Sequence, residues 1–322
     1  MLPYLELKDI SKSFSGVRAL RGVNLRLEQG EIRCLVGENG SGKSTLIKLV
    51  AGIIRPDSGS VLIDGEEHSF LRPRLSIAKG IQVIYQDFSL FPNLTVAENV
   101  ALNTLVASSR RTIIRGEMNE IARKAMERLQ VRLDPDALVE ELPVASKQLV
   151  AIVRAVVQGA RLIIMDEPTT ALTRQEIERL LAIMEEQKRR GVSALFVTHK
   201  LDEVLKVSDT ITVLRNGRVV ADEEARQFDT NRLTFFMTGR EIAAARFRHE
   251  KNSGERPFLR VRGLNLPGAY RDVSFDLYRG EILGITGALG CGATELALSL
   301  FGFQPAKSGT IEISGGTVRV NS

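Results

Sequence analysis

The chain is 322 residues long, with 43% hydrophobic, 26% charged and 5% aromatic residues and no Trp. Such a composition excludes disordered and fibrous classes and leaves enough apolar side chains for one large core or two smaller ones. A net charge of +5 is a mild bias for this length, and the clusters Arg110-Arg111 and Lys188-Arg189-Arg190 have no interleaved aromatics to stack bases, so no nucleic-acid partner is expected.

No aliphatic run approaches the ~20 residues that cross a bilayer, and Met1-Leu2-Pro3-Tyr4 opens no signal peptide. The chain is therefore expected not to span a membrane itself. Cys34 and Cys291 are too few and too far apart for a disulfide framework or a zinc site, which fits a reducing cytosol.

In chain order, Ile32 to Val36 is a short apolar run bounded by Gly30 and Gly37, the mark of a buried strand. Ser44 to Val50 follows as a helix that Gly52 ends. The segment 95–142 turns mostly helical, clearest at Glu117 to Leu129, and predicts an inserted helical subdomain. Leu162 to Met165 and Ala194 to Val197 are further buried strands. Between them lies a helix with Thr173 as N-cap, Glu176 completing a T-x-x-E capping box and Gly191 closing it. Ile177, Leu180, Leu181 and Met184 share one face of that helix and read as core. Ile211 to Leu214, the turn Arg215-Asn216-Gly217-Arg218 and Val219-Val220 predict a hairpin. Strands alternating with helices imply an α/β fold with a mainly parallel sheet.

An internal repeat organises the whole. Gly30-Glu31-Ile32 recurs 250 residues later as Gly280-Glu281-Ile282. The same offset carries Gly37, Gly40 and Gly42 onto Gly287, Gly290 and Gly292, and Ser58-Gly59 onto Ser308-Gly309. Glycines mark backbone positions with special φ/ψ needs, so their agreement at one offset signals two copies of one fold. The expected domains are a first copy over 1–240, a polar linker over 241–257, and the N-terminal part of a second copy over 258–322. Because the chain stops just after a strand predicted at Thr310 to Ile313, the second copy is expected to be truncated.

The strongest chemical signal is Gly37-Glu38-Asn39-Gly40-Ser41-Gly42-Lys43-Ser44-Thr45, which fits G-x-x-x-x-G-K-[ST] between a strand and a helix. Its glycines let successive backbone N–H groups curl round a β-phosphate, and the helix N-terminus adds its positive dipole end. Lys43 then reaches the β and γ phosphates, and the Ser44 hydroxyl ligates Mg²⁺. The strand Leu162-Ile163-Ile164-Met165 delivers two carboxylates, Asp166 to hold Mg²⁺ and Glu167 to polarise an attacking water. His199 ends the next strand, and Gln86 follows the run Ile81 to Tyr85; spacing alone assigns neither a role.

Taken in order, Phe14, the glycine loop, Gln86, Asp166-Glu167-Pro168-Thr169-Thr170-Ala171-Leu172-Thr173 and His199 resemble the ABC ATPases, and the first copy does so along its whole length. The resemblance implies a P-loop NTPase fold with a helical subdomain and a site for ATP and Mg²⁺. It implies that Phe14 stacks on adenine and that Gln86 senses the γ-phosphate at the metal alongside Ser44 and Asp166. Glu167 would be the catalytic carboxylate, Thr170 to Thr173 the D-loop, and His199 the switch histidine. The wording around Leu90 to Asn99 and Thr198 to Val204, and the fused two-half layout, look like the monosaccharide importers. That implies transmembrane permease subunits as partners, a periplasmic or extracellular sugar-binding protein reached indirectly, and a place on the cytoplasmic face of the membrane.

Two departures from the family pattern stand out. ABC ATPases work as head-to-tail pairs, each site completed by the other half's signature, usually LSGGQ. Here the matching stretch is Leu142-Pro143-Val144-Ala145-Ser146, and proline supplies neither hydroxyl nor N–H. In the second copy's loop, Ala293 stands at the lysine position and Glu295 at that of Thr45, which is unfavourable beside phosphates. Both lesions fall in one composite site. The expectation is an asymmetric motor with one working site, completed by a second ABC half. The competing readings are a soluble ABC ATPase acting on ribosomes or nucleic acid, disfavoured by the short linker without heptads, and a non-catalytic truncated remnant.

Overall fold

The computed structural model describes residues 3–107, 114–198, 200–240, 256–288 and 290–318. It divides into two compact units, Met1–Ala243 and Ala244–Ser322.

The first unit opens with β1 (Leu5–Phe14) and β2 (Val17–Leu27), an antiparallel pair in which Leu5 faces Leu27, Leu7 faces Leu25 and Ile10 faces Val23. Next come β3 (Ile32–Val36), α1 (Lys43–Val50), β4 (Ser58–Ile63) and β5 (Glu66–His68). Alternate apolar residues of β1, β2 and β4 turn inward, so this sheet, ordered β2-β1-β4-β5, is buried on one face. α2 (Pro73–Ala78) and β6 (Ile81–Ile84) lead to the helical segment, α3 (Val96–Ala107), α4 (Arg115–Arg128) and α5 (Val144–Val157). The chain then runs through β7 (Leu162–Asp166), α6 (Arg174–Arg189), β8 (Ser193–Val197) and α7 (Leu201–Val207), and ends in β9 (Thr210–Arg215), β10 (Arg218–Glu224) and α8 (Thr230–Thr238).

Strands β6 to β10 and β3 form a six-stranded sheet in the order β10-β9-β3-β8-β7-β6, parallel except for β10. Every residue of β3 and β8 is buried, as expected of strands covered on both faces. Side chains alternate between two cores. Cys34, Met165 and Phe196 pack with the helical layer, while Leu35, Ile164 and Val197 pack with α1 and the antiparallel sheet. The phosphate loop therefore lies where two fully packed layers meet.

Capping boxes close the N-termini of α6 and α3. On α6 both bonds of the Thr173–Glu176 box are present, and Gly191 takes a left-handed φ of 82° after the helix. A second box sits on α3: Thr95 N–H donates to Glu98 (2.8 Å) and Glu98 N–H to the Thr95 hydroxyl (3.2 Å). The helical layer continues through α5, beyond the 95–142 segment, because Leu149, Val150, Ile152 and Val153 join the same core as α3 and α4.

The second unit contains β11 (Leu259–Leu266), β12 (Tyr270–Leu277), α9 (Ala293–Phe301), β13 (Ser308–Ile313) and β14 (Gly316–Val318), with sheet order β12-β11-β13-β14. Its pairing repeats the first unit, with Leu259 opposite Leu277 and Leu264 opposite Val273. Residues 281–287, the counterpart of β3, form no strand, and Ile282 is 79% exposed. In the first unit β3 is held between β8 and β9; no such flanking strands exist among the described residues of the second.

Candidate functional site

The turn after β3 begins at Gly37, where an added Cβ would lie 2.2 Å from the Leu214 carbonyl oxygen. Nothing larger than glycine fits between this loop and β9. The hairpin turn braces the loop from the other side: Gly217 N–H donates to the Ser41 carbonyl (3.0 Å), and Arg21 N–H donates to the Gly217 carbonyl (2.8 Å). Lys43, 7% exposed at the start of α1, curls back and donates to the carbonyls of Gly37 (2.7 Å) and Glu38 (3.0 Å). Burial pulls its pKa below the ordinary value, against the opposing charges of Glu167 and Asp166. The Ser41 hydroxyl is buried without a hydrogen-bond partner among the described residues.

Lys43 borders a cavity of about 660 Å³. Asn39, Gly40, Gly42, Lys43, Ser44 and Thr45 line one wall, with Gln86, Asp166 and Glu167 across from them. Asp166 ends β7, where burial first and the charge of Glu167 second push its carboxyl above the ordinary range. Glu167 adopts a left-handed φ of 49°, fixed by its N–H donating to the Val197 carbonyl at 2.7 Å. That turn aims two adjacent carboxylates at one cavity, an arrangement an extended strand forbids because successive side chains point oppositely.

Lys200 Nζ donates to the Thr169 carbonyl (2.7 Å), and the Thr169 hydroxyl donates to Glu203. The segment after the carboxylates is thereby tied to α7. His199 lies outside the described residues.

Phe14 is not among the lining residues. It is 44% exposed at the end of β1 with the Lys12 ammonium 5.5 Å from its ring centroid. The reason is local: Ser15 and Gly16 turn at left-handed φ angles of 45° and 89°, so the chain returns as β2 and presents Val17, Arg18 and Ala19 to the cavity. Gly37 and Ser41 support the loop from behind. Val17, Arg18, Ala19, Arg21 and Asn216 line the remaining wall. No motif marks them, because only the docking of β2 and the hairpin onto the loop brings them there.

Pro143 occupies the N-cap of α5, with no side-chain cap bond, and Val144 beside it is 41% exposed. In the second unit the loop backbone copies the first. Gly290 and Gly292 have φ of 79° and 89°, and Cys291 N–H donates to the Ala288 carbonyl at 3.0 Å, as Ser41 does to Glu38 at 3.1 Å. Ala293 opens α9 where Lys43 opens α1.

A strand–glycine loop–helix on a parallel sheet, with a buried lysine facing an Asp–Glu pair, defines a P-loop nucleotide-binding cassette. The ABC transporter family profile matches residues 20–170 and 270–321, and the chain belongs to that family. It is 40% identical over 319 residues to a putative ribose/galactose/methyl galactoside import ATP-binding protein of Pseudomonas syringae pv. tomato, covering 99% of this chain and 61% of that protein. It is 44% identical to Ribose import ATP-binding protein RbsA 1 of Rubrobacter xylanophilus, covering 98% of this chain and 62% of the relative. The chain thus spans about three fifths of the length of these relatives. Among solved structures, the ADP conformation of an ATP-binding cassette of an ABC transporter matches with a TM-score of 0.65 at 27% identity, covering 73% of this chain and 96% of that one. Among the described residues no helix is long and apolar enough to cross a membrane.

Proposed function

We propose that this chain is the ATP-binding and ATP-hydrolysing part of an ABC importer for a monosaccharide. The observation that carries the reading is the buried Lys43 facing Asp166 and Glu167 across one cavity. The cavity fits a triphosphate. Lys43 exchanges loop carbonyls for phosphate oxygens. Residues 1–240 form the working domain, 241–257 a linker, and 258–322 part of a degenerate second domain.

Asn39 to Thr45 hold the phosphates through backbone N–H groups and the α1 dipole. Ser44, Gln86 and Asp166 would hold Mg²⁺, which would supply positive charge beside the phosphates. Lys43 stabilises negative charge developing on the phosphoryl oxygens. Glu167 orients the attacking water and takes its proton, and His199, by family resemblance, contacts the γ-phosphate. Phe14, exposed next to the β2 wall, offers a ring face for adenine.

The partners follow from the same reading: permease subunits in the membrane, with the chain on the cytoplasmic face, a sugar-binding protein reached through them, and a second ABC half whose signature completes the ATP site. The names of the relatives support ribose or galactose import. Titration with a fluorescent ATP analogue and Mg²⁺ tests the foundation. Saturable binding that Lys43→Ala weakens by at least ~100-fold is expected, corresponding to the loss of two charge-assisted hydrogen bonds. Undiminished binding to the variant overturns it.

A further inference from the structure

A second cavity, of about 390 Å³, opens between the end of α4 and α6 from Arg179 onward, and it shares no lining residue with the nucleotide cavity. Its rim carries the guanidinium groups of Arg128, Arg179, Arg189 and Arg190 against one carboxylate, Glu186. That carboxylate is already taken: Arg189 donates to one oxygen at 2.7 Å and Arg190 to the other at 2.9 Å. Arg179 has only a 3.5 Å contact to the Gln130 carbonyl, and Arg128 has no ion-pair partner among the described residues. The rim therefore holds three more positive than negative charges, two of them uncommitted.

The floor is apolar, built from Leu129 and Ile183, and contains one donor. Gln187 is 1% exposed, and its Nε2 has no hydrogen-bond partner among the described residues. A buried amide donor without an acceptor costs stability until something accepts its proton. Cavities of roughly 300–1,000 Å³ with convergent polar groups are the usual small-molecule sites, and guanidinium forks match phosphate oxygens bidentately.

We propose that this cavity binds a small phosphate-bearing anion, its oxygens met by Arg128 and Arg179 at the rim and by the Gln187 amide from the floor. The anion links α4 of the helical layer to α6 of the sheet layer. The site does not depend on the ATPase reading, and its test is separable from that one. The full chain carrying Lys43→Ala, which weakens phosphate binding at the nucleotide loop, is titrated calorimetrically with inorganic pyrophosphate at constant chloride. In parallel it is sedimented with phosphatidylcholine vesicles, with or without phosphatidylglycerol. Saturable pyrophosphate binding identifies a soluble phosphate compound as the ligand; binding confined to the phosphatidylglycerol vesicles identifies a lipid headgroup.

In either case Arg179→Ala is expected to weaken binding about tenfold. Gln187→Leu, which replaces the orphaned amide with an apolar side chain of similar size, is expected to weaken it as well while keeping or raising the melting temperature. Hydrogen exchange should slow at the end of α4 and in α6 together when the probe is present. No association in either arm overturns the proposal, and so does association that both substitutions leave unchanged.

Discussion

The Ala19 carbonyl oxygen stands 2.5 Å from where a side-chain carbon on residue 42 would sit, so β2 closes directly against Gly42 of the phosphate loop. In the second unit Ala269 and Gly292 repeat the relationship at 2.3 Å, although the loop lysine there is replaced by Ala293. The close approach is thus a packing requirement of the strand–loop–helix unit, independent of its chemistry. Gly42 has a φ of 111°, where a side chain is strained whatever the space. Gly42→Ala is expected to destabilise the first unit by roughly 2–4 kcal/mol, from backbone strain plus overpacking, measured as a lowered urea midpoint. A variant with unchanged midpoint would show that β2 yields easily.

Pro143, at the position expected for the signature, and Ala293, at that of the loop lysine, bear on turnover. Residues 1–322 should bind ATP·Mg²⁺ yet hydrolyse it slowly, because proline at the head of α5 offers an opposing phosphate neither a hydroxyl nor an N–H. Phosphate release from the purified chain measures this. Rapid release that disappears on Glu167→Gln contradicts the asymmetric arrangement.

Arg161 donates to both carboxylate oxygens of Asp64, at 2.6 and 2.8 Å, and lies over the Tyr4 ring. These bonds hold the Asp64 carboxyl below the ordinary carboxylate range. A depressed folded-state pKa contributes stability that is present above the unfolded value near ~4 and is lost as pH falls through the folded value. Both side chains are partly exposed, at 39% and 44%, so solvent screening keeps the contribution under about 1 kcal/mol. The stability difference between the native chain and Asp64→Asn should therefore be measurable at neutral pH and should vanish in acid. Asn keeps the left-handed φ of 51° that this turn needs. A difference that persists unchanged in acid would assign it to packing instead.

The two thiols should behave oppositely. Cys34 is fully buried in β3, and burial pushes its pKa up to about 12; Cys291 is exposed in the second unit's loop. Since the thiolate is the reactive form, a thiol reagent should label one cysteine in the folded chain and two in denaturant. Cys291→Ser should abolish the native signal. Labelling of Cys34 without denaturant would mean that β3 opens.

The features legible along the chain are those whose physical requirements are contiguous. The loop 37–45 declares itself because each glycine answers a local backbone need next to the lysine it positions. The strand ending in Asp166-Glu167 and the Thr173–Glu176 box are equally short-range, and the constant offset between the two loops exposes the repeat. Tertiary structure alone decided what depends on partners far apart in the chain. The antiparallel sheet joins β1 to β4 across some fifty residues, and no local pattern announces that pairing. Arg18, Arg21 and Asn216 reach the cavity only because β2 and the β9–β10 hairpin dock on the loop. Residues 281–287 carry the same local signal as β3 yet form no strand, since a strand buried on both faces exists only where neighbours supply its hydrogen bonds and cover its side chains.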